Sequence, residues 1–143
     1  MDAVAIVGAG ELGGALAHLL ARKSLASSIR LIDEGGRVAE GKALDITQAA
    51  PIEGFATEVF GTTDLFQAAG ASIVAVADRA RGVEWQGDEL LLLLRRLNDI
   101  APRAIARMPS DIHDMIHMFS SESPRSAGTS REMPRAIGHV ITI

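Results

Sequence analysis

The sequence predicts a doubly wound α/β chain, a parallel sheet with helices on both faces, from three observations. Short apolar runs of strand type alternate with segments of helical period through the first hundred residues. A glycine-rich turn joins the first such run to the first helix. An acid stands at the end of the second run. Alternation of this kind calls for right-handed crossovers and a parallel sheet.

Taken in order, Ala3–Val7 is an apolar run that stops at Gly8, and Glu11 to about Arg22 places Leu12, Ala15, Leu16, Leu19 and Leu20 at helical spacing. Ser28–Asp33 reads as a second strand through Ile29, Leu31 and Ile32, and Arg37–Gln48 as a helix despite Gly41. Glu58–Thr62 is a short strand. Asp64–Ala69 is a short helix with Asp64 as an acid of its first turn. Ser72–Ala77 is continuously apolar and β-branched, the pattern of a strand buried on both faces. Asp78–Gly87 is a polar loop, and Asp88–Ile100 a helix with five consecutive leucines, Leu90–Leu94. Beyond Pro102 the pattern predicts an amphipathic helix over Asp111–Phe119, a loop over Ser120–Ser130 and a last strand over Ala136–Thr142. The expected strand order is 3-2-1-4-5-6.

The chain of 143 residues has the size of one domain, large enough to bury a core without disulfides or metal. It is 48% hydrophobic and 22% charged, which excludes a disordered chain. No apolar run approaches the ~20 residues that span a bilayer. No basic segment with an apolar core opens the chain, so neither membrane partner nor signal peptide is expected, and the location expected is cytoplasmic. With no cysteine, thiol catalysis and Cys-based zinc sites are out. A net charge of −4 and 3% aromatics argue against nucleic acid as partner, which wants a basic face and stacking platforms. Composition shifts at 103–143, which holds four of the five Met, three of the four His and six Ser. Residues 1–143 are expected to form one domain, with 103–143 a lobe, a diverged tail or a segment that is not a native continuation.

Gly8-Ala9-Gly10-Glu11-Leu12-Gly13 is a GxGxxG that follows a strand and opens a helix, the context in which the pattern means a Rossmann-type dinucleotide turn. Gly8 would make the tight turn, Gly10 would let backbone approach a pyrophosphate and Gly13 would let helix and strand pack closely. The pyrophosphate would sit on the helix N-terminus, against unpaired N–H groups and the positive dipole end. Asp33, 20 residues after Gly13, stands where a carboxylate accepts hydrogen bonds from the adenosine ribose. It would repel a 2′-phosphate, which favours NAD over NADP, with Arg37 as the one nearby cation. Asp78, following the fourth strand at the same edge of the sheet, would place a second carboxylate near the phosphates and cost affinity.

Three stretches, VAIVGAGELGGALAHLLA, IRLIDEGGRVAEGKALDI and GTTDLFQAAGASIVAVA, resemble the cofactor-binding half of the malate/lactate dehydrogenase family, from Ala3 to about Pro102. The most specific is Asp33 followed by AEGKALDI. The resemblance implies NAD as cofactor and an oxidoreductase lineage. Gly8, Gly10, Gly13 and the Glu11–Leu12 backbone would hold the pyrophosphate, and Asp33 the ribose. Ala77 would match the first residue of the Ala-Gly pair that ends the family's fourth strand. The departures are as informative. Asp78 replaces the expected glycine. The loop DRARGVEWQG carries Arg79 and Arg81 but not the family's arrangement of two arginines around Lys-Pro-Gly. The family's Asp–His relay and third arginine belong to a second half that this chain does not reach. No catalytic residue is therefore assigned, and the chain is expected to bind cofactor without turning over malate or lactate alone. The alternatives are a half of a split dehydrogenase completed by another chain, and an interaction module that has lost the cofactor.

Other candidates are weaker. His113 and His117 share a helix face at i, i+4 but lack a third ligand, so no metal is expected. His18 reads as a helix-surface or packed histidine. Trp85, the only tryptophan, is either a hydrophobic plug or a lid over the cofactor. Leu90–Leu94 covers more than one helix face, which suggests an exposed apolar patch and a homo-oligomer, unless the tail covers it.

Overall fold

The computed structural model describes residues 2–35, 37–81, 85–104 and 139–142. Its elements run β1 (Ala3–Val7), α1 (Glu11–Arg22), β2 (Ser28–Ile32), α2 (Val38–Glu53), β3 (Glu58–Thr62), a 3-10 turn (Leu65–Ala68), β4 (Ile73–Val76), α3 (Gly87–Ile100) and β5 (His139–Thr142). The strands form one parallel sheet in the order β3-β2-β1-β4-β5. The order reverses between β1 and β4, which makes the carboxyl ends of those two strands the place where an open α/β sheet leaves a crevice.

Side chains alternate across the sheet and build a core on each face. Val4, Ile6, Ile29, Leu31 and Ala75 pack with Ala17 and Ala21 of α1 and with Ala39 and Ile46 of α2. Ala5, Val7, Val74 and Val76 pack on the other face with Leu65 of the 3-10 turn and Leu93, Leu94 and Leu97 of α3. The doubly wound arrangement is thus built by one-residue alternation within β1 and β4, whose residues, the partly buried Ile73 apart, are buried whichever way they point. Small residues on the inner face of α1 let it lie close over β1. Large apolar side chains such as Ile6 and Leu97 each contribute about 2 kcal/mol through burial.

The expected elements are present with several differences of extent. α2 does not stop at Gln48 but continues past Pro51 to Glu53. Proline gives up its N–H and crowds the carbonyl four residues back, yet α2 runs through it, and the helix terminates where Gly54 takes the left-handed conformation (φ 75) and donates to Ala50 O at 2.8 Å. Asp64 is not inside the short helix but caps it, accepting from Phe66 N at 3.0 Å. β4 is narrower than Ser72–Ala77, and α3 starts at Gly87 behind a reciprocal Gln86/Glu89 capping box. Of the last strand expected over Ala136–Thr142, the part His139–Thr142 is described, residues 136–138 lying outside the described residues; it sits directly beside β4, in the fifth place of the sheet rather than the expected sixth. The helix expected over Asp111–Phe119 and the loop over Ser120–Ser130 lie outside the described residues. Of the five consecutive leucines only Leu92 is exposed, at 59%, while the others are buried or pack against the α3 core. The apolar surface offered by this helix is correspondingly smaller than the run of leucines suggested.

Candidate functional site

β1 delivers the chain to Gly8 at the crevice. Gly8 holds φ +112, a conformation L side chains rarely adopt, and donates to Ile32 O at 2.7 Å. Gly10 is the N-cap of α1 and offers no side chain to its free N–H groups. Gly13 is buried against the turn: a Cβ there would collide with Gly8 O, the close helix–strand approach expected of the third glycine. Lys42 reaches back from α2 to donate to Gly10 O at 2.6 Å, a tie the sequence reading did not single out although GKALD lay in its most specific stretch.

Asp33 stands just past β2 and is 4% exposed. Its Oδ2 accepts from Ala9 N at 2.9 Å and from Ala80 N at 2.8 Å, and its Oδ1 from Gly35 N at 2.8 Å. A carboxylate has about four acceptor positions. Three are used within the chain, leaving one on Oδ1. Asp33 therefore pins the glycine turn to the segment that follows β4, a role its sequence position gave no sign of, because Ala80 carries no side-chain signal for a backbone donor.

The loop after β4 folds directly onto the start of α1. Asp78 O accepts from Gly10 N at 2.9 Å, and Asp78 Oδ1 accepts from Gly13 N at 3.0 Å. The space opened by the missing side chain of Gly10 is filled by this carboxylate: a Cβ on Gly10 would collide with Asp78 Oδ2 and approach Arg79 O at 2.7 Å. Gly8 in turn faces the carbonyls of Ala77 and Asp78. The glycines thus accommodate the protein's own backbone and carboxylate at the position where a pyrophosphate would rest. Of the other residues expected there, Glu11 and Leu12 open α1 with exposed side chains. Ala77 is buried, donating to Val7 O at 2.8 Å and accepting from Trp85 Nε1 at 2.7 Å.

Beside this plug lies a cavity of about 410 Å³, within the usual range for small-molecule pockets. Val7, Ile32, Leu65 and Leu93 give it apolar walls, and Asp33 and Gly8 border it on the sheet edge. Trp85 closes one side as a wall held by its bond to Ala77, with the Arg79 guanidinium stacked 3.9 Å from its ring centre. This makes it part plug and part pocket lining. Arg79 is also committed to Glu89 at 2.8 Å, and Arg81 lines the cavity. Arg37, the nearby cation of the sequence reading, pairs with Glu40 at 2.8 Å and is not among the lining residues. His18 sits on the helix surface against Glu53 at 2.9 Å. His113 and His117 lie outside the described residues.

The adenosine half of a dinucleotide fits this arrangement: an apolar cavity for a base adjoins a carboxylate with one acceptor to spare for a ribose hydroxyl. The pyrophosphate half does not fit while Asp78 holds its place, because its oxygens would need the N–H groups that Asp78 covers and would meet a like charge.

Residues 2–86 match the family described as lactate/malate dehydrogenase, NAD binding domain. The malate dehydrogenase of Desulforudis audaxviator is 38% identical over 109 residues, 76% of this chain and 35% of that protein. The malate dehydrogenase of Neorickettsia sennetsu is 41% identical over 73 residues, 51% of this chain and 23% of that protein. Among solved structures, malate dehydrogenase from Salinibacter ruber superimposes with a TM-score of 0.59 at 26% identity, covering 71% of this chain and 34% of that one. A lactate dehydrogenase from Cryptosporidium parvum, solved with lactic acid and β-nicotinamide adenine dinucleotide, gives 0.54 at 26% identity, covering 69% of this chain and 32% of that one. The chain spans about a third or less of the length of the curated relatives it matches.

Proposed function

Because this chain belongs to the lactate/malate dehydrogenase NAD binding domain family, we propose that it is the NAD(H)-binding unit of a malate/lactate dehydrogenase-like oxidoreductase, with its site at the carboxyl edge of β1, β2 and β4. The observation that carries this reading is the cavity bordered at once by the Gly8 turn and by Asp33 with its remaining acceptor. In this reading Asp33 Oδ1 takes a ribose hydroxyl. Gly8, Gly10, Gly13 and the Glu11–Leu12 backbone line the path of the pyrophosphate, with Ala77 beside Gly8 at the end of β4. Bound NAD supplies the hydride chemistry, and the chain's own residues supply orientation. The reading extends to a single domain over 1–143, a homo-oligomer and a cytoplasmic location, each resting on the sequence.

Titration with NADH, followed by energy transfer from Trp85 to the nicotinamide, is expected to show saturable transfer reversed by NAD. NADPH is expected to bind about tenfold more weakly or worse, because Asp33 and Glu34 both present carboxylates at the ribose edge. Absence of transfer and of calorimetric heat up to about millimolar NADH, both in wild type and with the Asp78 carboxylate removed, together with no binding of adenosine or ADP, would replace this reading with that of an interaction module.

Turnover is a separate matter. Reducing a keto acid needs a proton donor at the carbonyl and a cation for the carboxylate. Of the two loop arginines, Arg79 is bound to Glu89 and stacked on Trp85, and Arg81 faces the nucleotide cavity. The purified chain is expected to show no oxidation of NADH with oxaloacetate or pyruvate above the rate without enzyme. A measurable rate that follows the chain through purification would sink this expectation.

A further inference from the structure

We propose that Asp78 is a specificity-determining residue that turns this dinucleotide cradle towards the unphosphorylated adenosine moiety. The inference rests on the NAD(H) reading for the location of the site and goes beyond it in the ligand favoured. Three observations meet here. First, the Asp78 carboxylate accepts from Gly13 N at 3.0 Å and lies against Gly10, and so occupies the anion position at the start of α1. Second, this clasp is doubled by the backbone, Gly10 N donating to Asp78 O at 2.9 Å, and extended by Ala80 N donating to Asp33 Oδ2 at 2.8 Å. The Asp78 backbone is therefore fixed over Gly10, and a displaced carboxylate stays close to the start of α1. Third, Asp78 does not line the adjoining cavity of about 410 Å³, which stays open while the plug is in place.

A ligand carrying phosphates must therefore displace a charge-assisted hydrogen bond and settle beside the displaced carboxylate. A nucleoside avoids both penalties. Among the described residues, Arg79 of the loop is already paired with Glu89, Arg81 lines the cavity, and Lys42 on the α2 side is engaged with Gly10 O. The same carboxylate that completes the hydrogen bonding of α1 excludes the group for which such helix starts are used elsewhere.

The test is calorimetric titration of the full chain with adenosine, ADP and NADH, in wild type, Asp78→Ala and Asp78→Asn. Asp78→Ala removes the plug. Asp78→Asn keeps an acceptor for Gly13 N and removes the charge, so it preserves the fold if the alanine variant does not. The expected result is wild-type protein that binds adenosine at least as tightly as NADH or ADP. NADH and ADP affinity should rise by about tenfold or more in Asp78→Ala and by a smaller factor in Asp78→Asn, with adenosine changed by less than about threefold. Wild-type protein that prefers NADH to adenosine by about tenfold, unaltered in both variants, would overturn this inference and leave the NAD(H) reading intact. Failure of all three ligands to bind wild type and both variants would overturn the two together.

Discussion

Replacing Asp33 with alanine is expected to lower stability by about 3 kcal/mol, besides abolishing nucleotide binding. A carboxylate that served a ligand alone could be removed with the fold untouched. Here it is 4% exposed and accepts from three backbone N–H groups belonging to three separate segments: the glycine turn, the turn after β2 and the loop after β4. Deleting it strands Ala9 N and Ala80 N in a buried or partly buried setting, where an unmet donor costs about 1–3 kcal/mol. Asparagine is no remedy, since whichever way the amide is turned its NH2 group faces at least one N–H. For a domain of this size the loss corresponds to a fall in Tm of about 10 °C, readable by thermal or urea unfolding. If Asp33→Ala unfolds within about 1 kcal/mol of wild type, the carboxylate is a ligand group rather than a clasp, and its contacts to Ala9 and Ala80 are energetically idle.

This result bears on what could be read from sequence. The strands and helices were legible because β1 and β4 are apolar on both faces, β2 carries Ile29 and Leu31 on one face, and α1 keeps a helical period, patterns that follow from which residues face the core. The end of α2 was not, because a proline such as Pro51 ordinarily disfavours helix, whereas here the helix runs through it and stops at the left-handed Gly54. The glycine turn and Asp33 were legible as a motif, and the sequence also showed that Asp78 lay near the phosphate position. What no spacing rule revealed was that the carboxylate points at Gly13 N and fills the hollow above Gly10. That depends on the path of the loop after β4, which is held by backbone donors at Gly10 and Ala80 that carry no side-chain signature. Likewise, five consecutive leucines imply an exposed stripe only if the helix is covered on one side. α3 lies in a groove between β4 and the 3-10 turn, and Leu90 and Leu91 also find partners there.

Two neighbouring glycines of α1 should separate sharply on substitution. Gly13→Ala is expected to cost more than about 3 kcal/mol, whereas Gly14→Ala is expected to stay within about 1 kcal/mol of wild type. Both exchanges bring the same gain in helix propensity, about 1 kcal/mol, so the contrast is set by what the new methyl meets. At Gly13 it meets the carbonyl oxygen of Gly8, a backbone atom in a turn held at φ +112 by the hydrogen bond from Gly8 N to Ile32 O and packed against the carbonyls of Ala77 and Asp78. The obstacle cannot rotate away, so α1 must lift from β1, breaking the bond from Gly13 N to Asp78 and loosening Ala17 and Ala21 from the sheet. At Gly14 the methyl meets only the outer end of Lys42, at 3.1 Å from Cδ and 3.3 Å from Nζ, and a flexible side chain can move aside at the expense of its bond to Gly10 O. Paired urea unfolding curves decide the matter. Equal and small effects at both positions would mean that α1 is free to ride over the turn, and the close helix–strand contact on which the anion cradle depends would then not be a constraint on this fold.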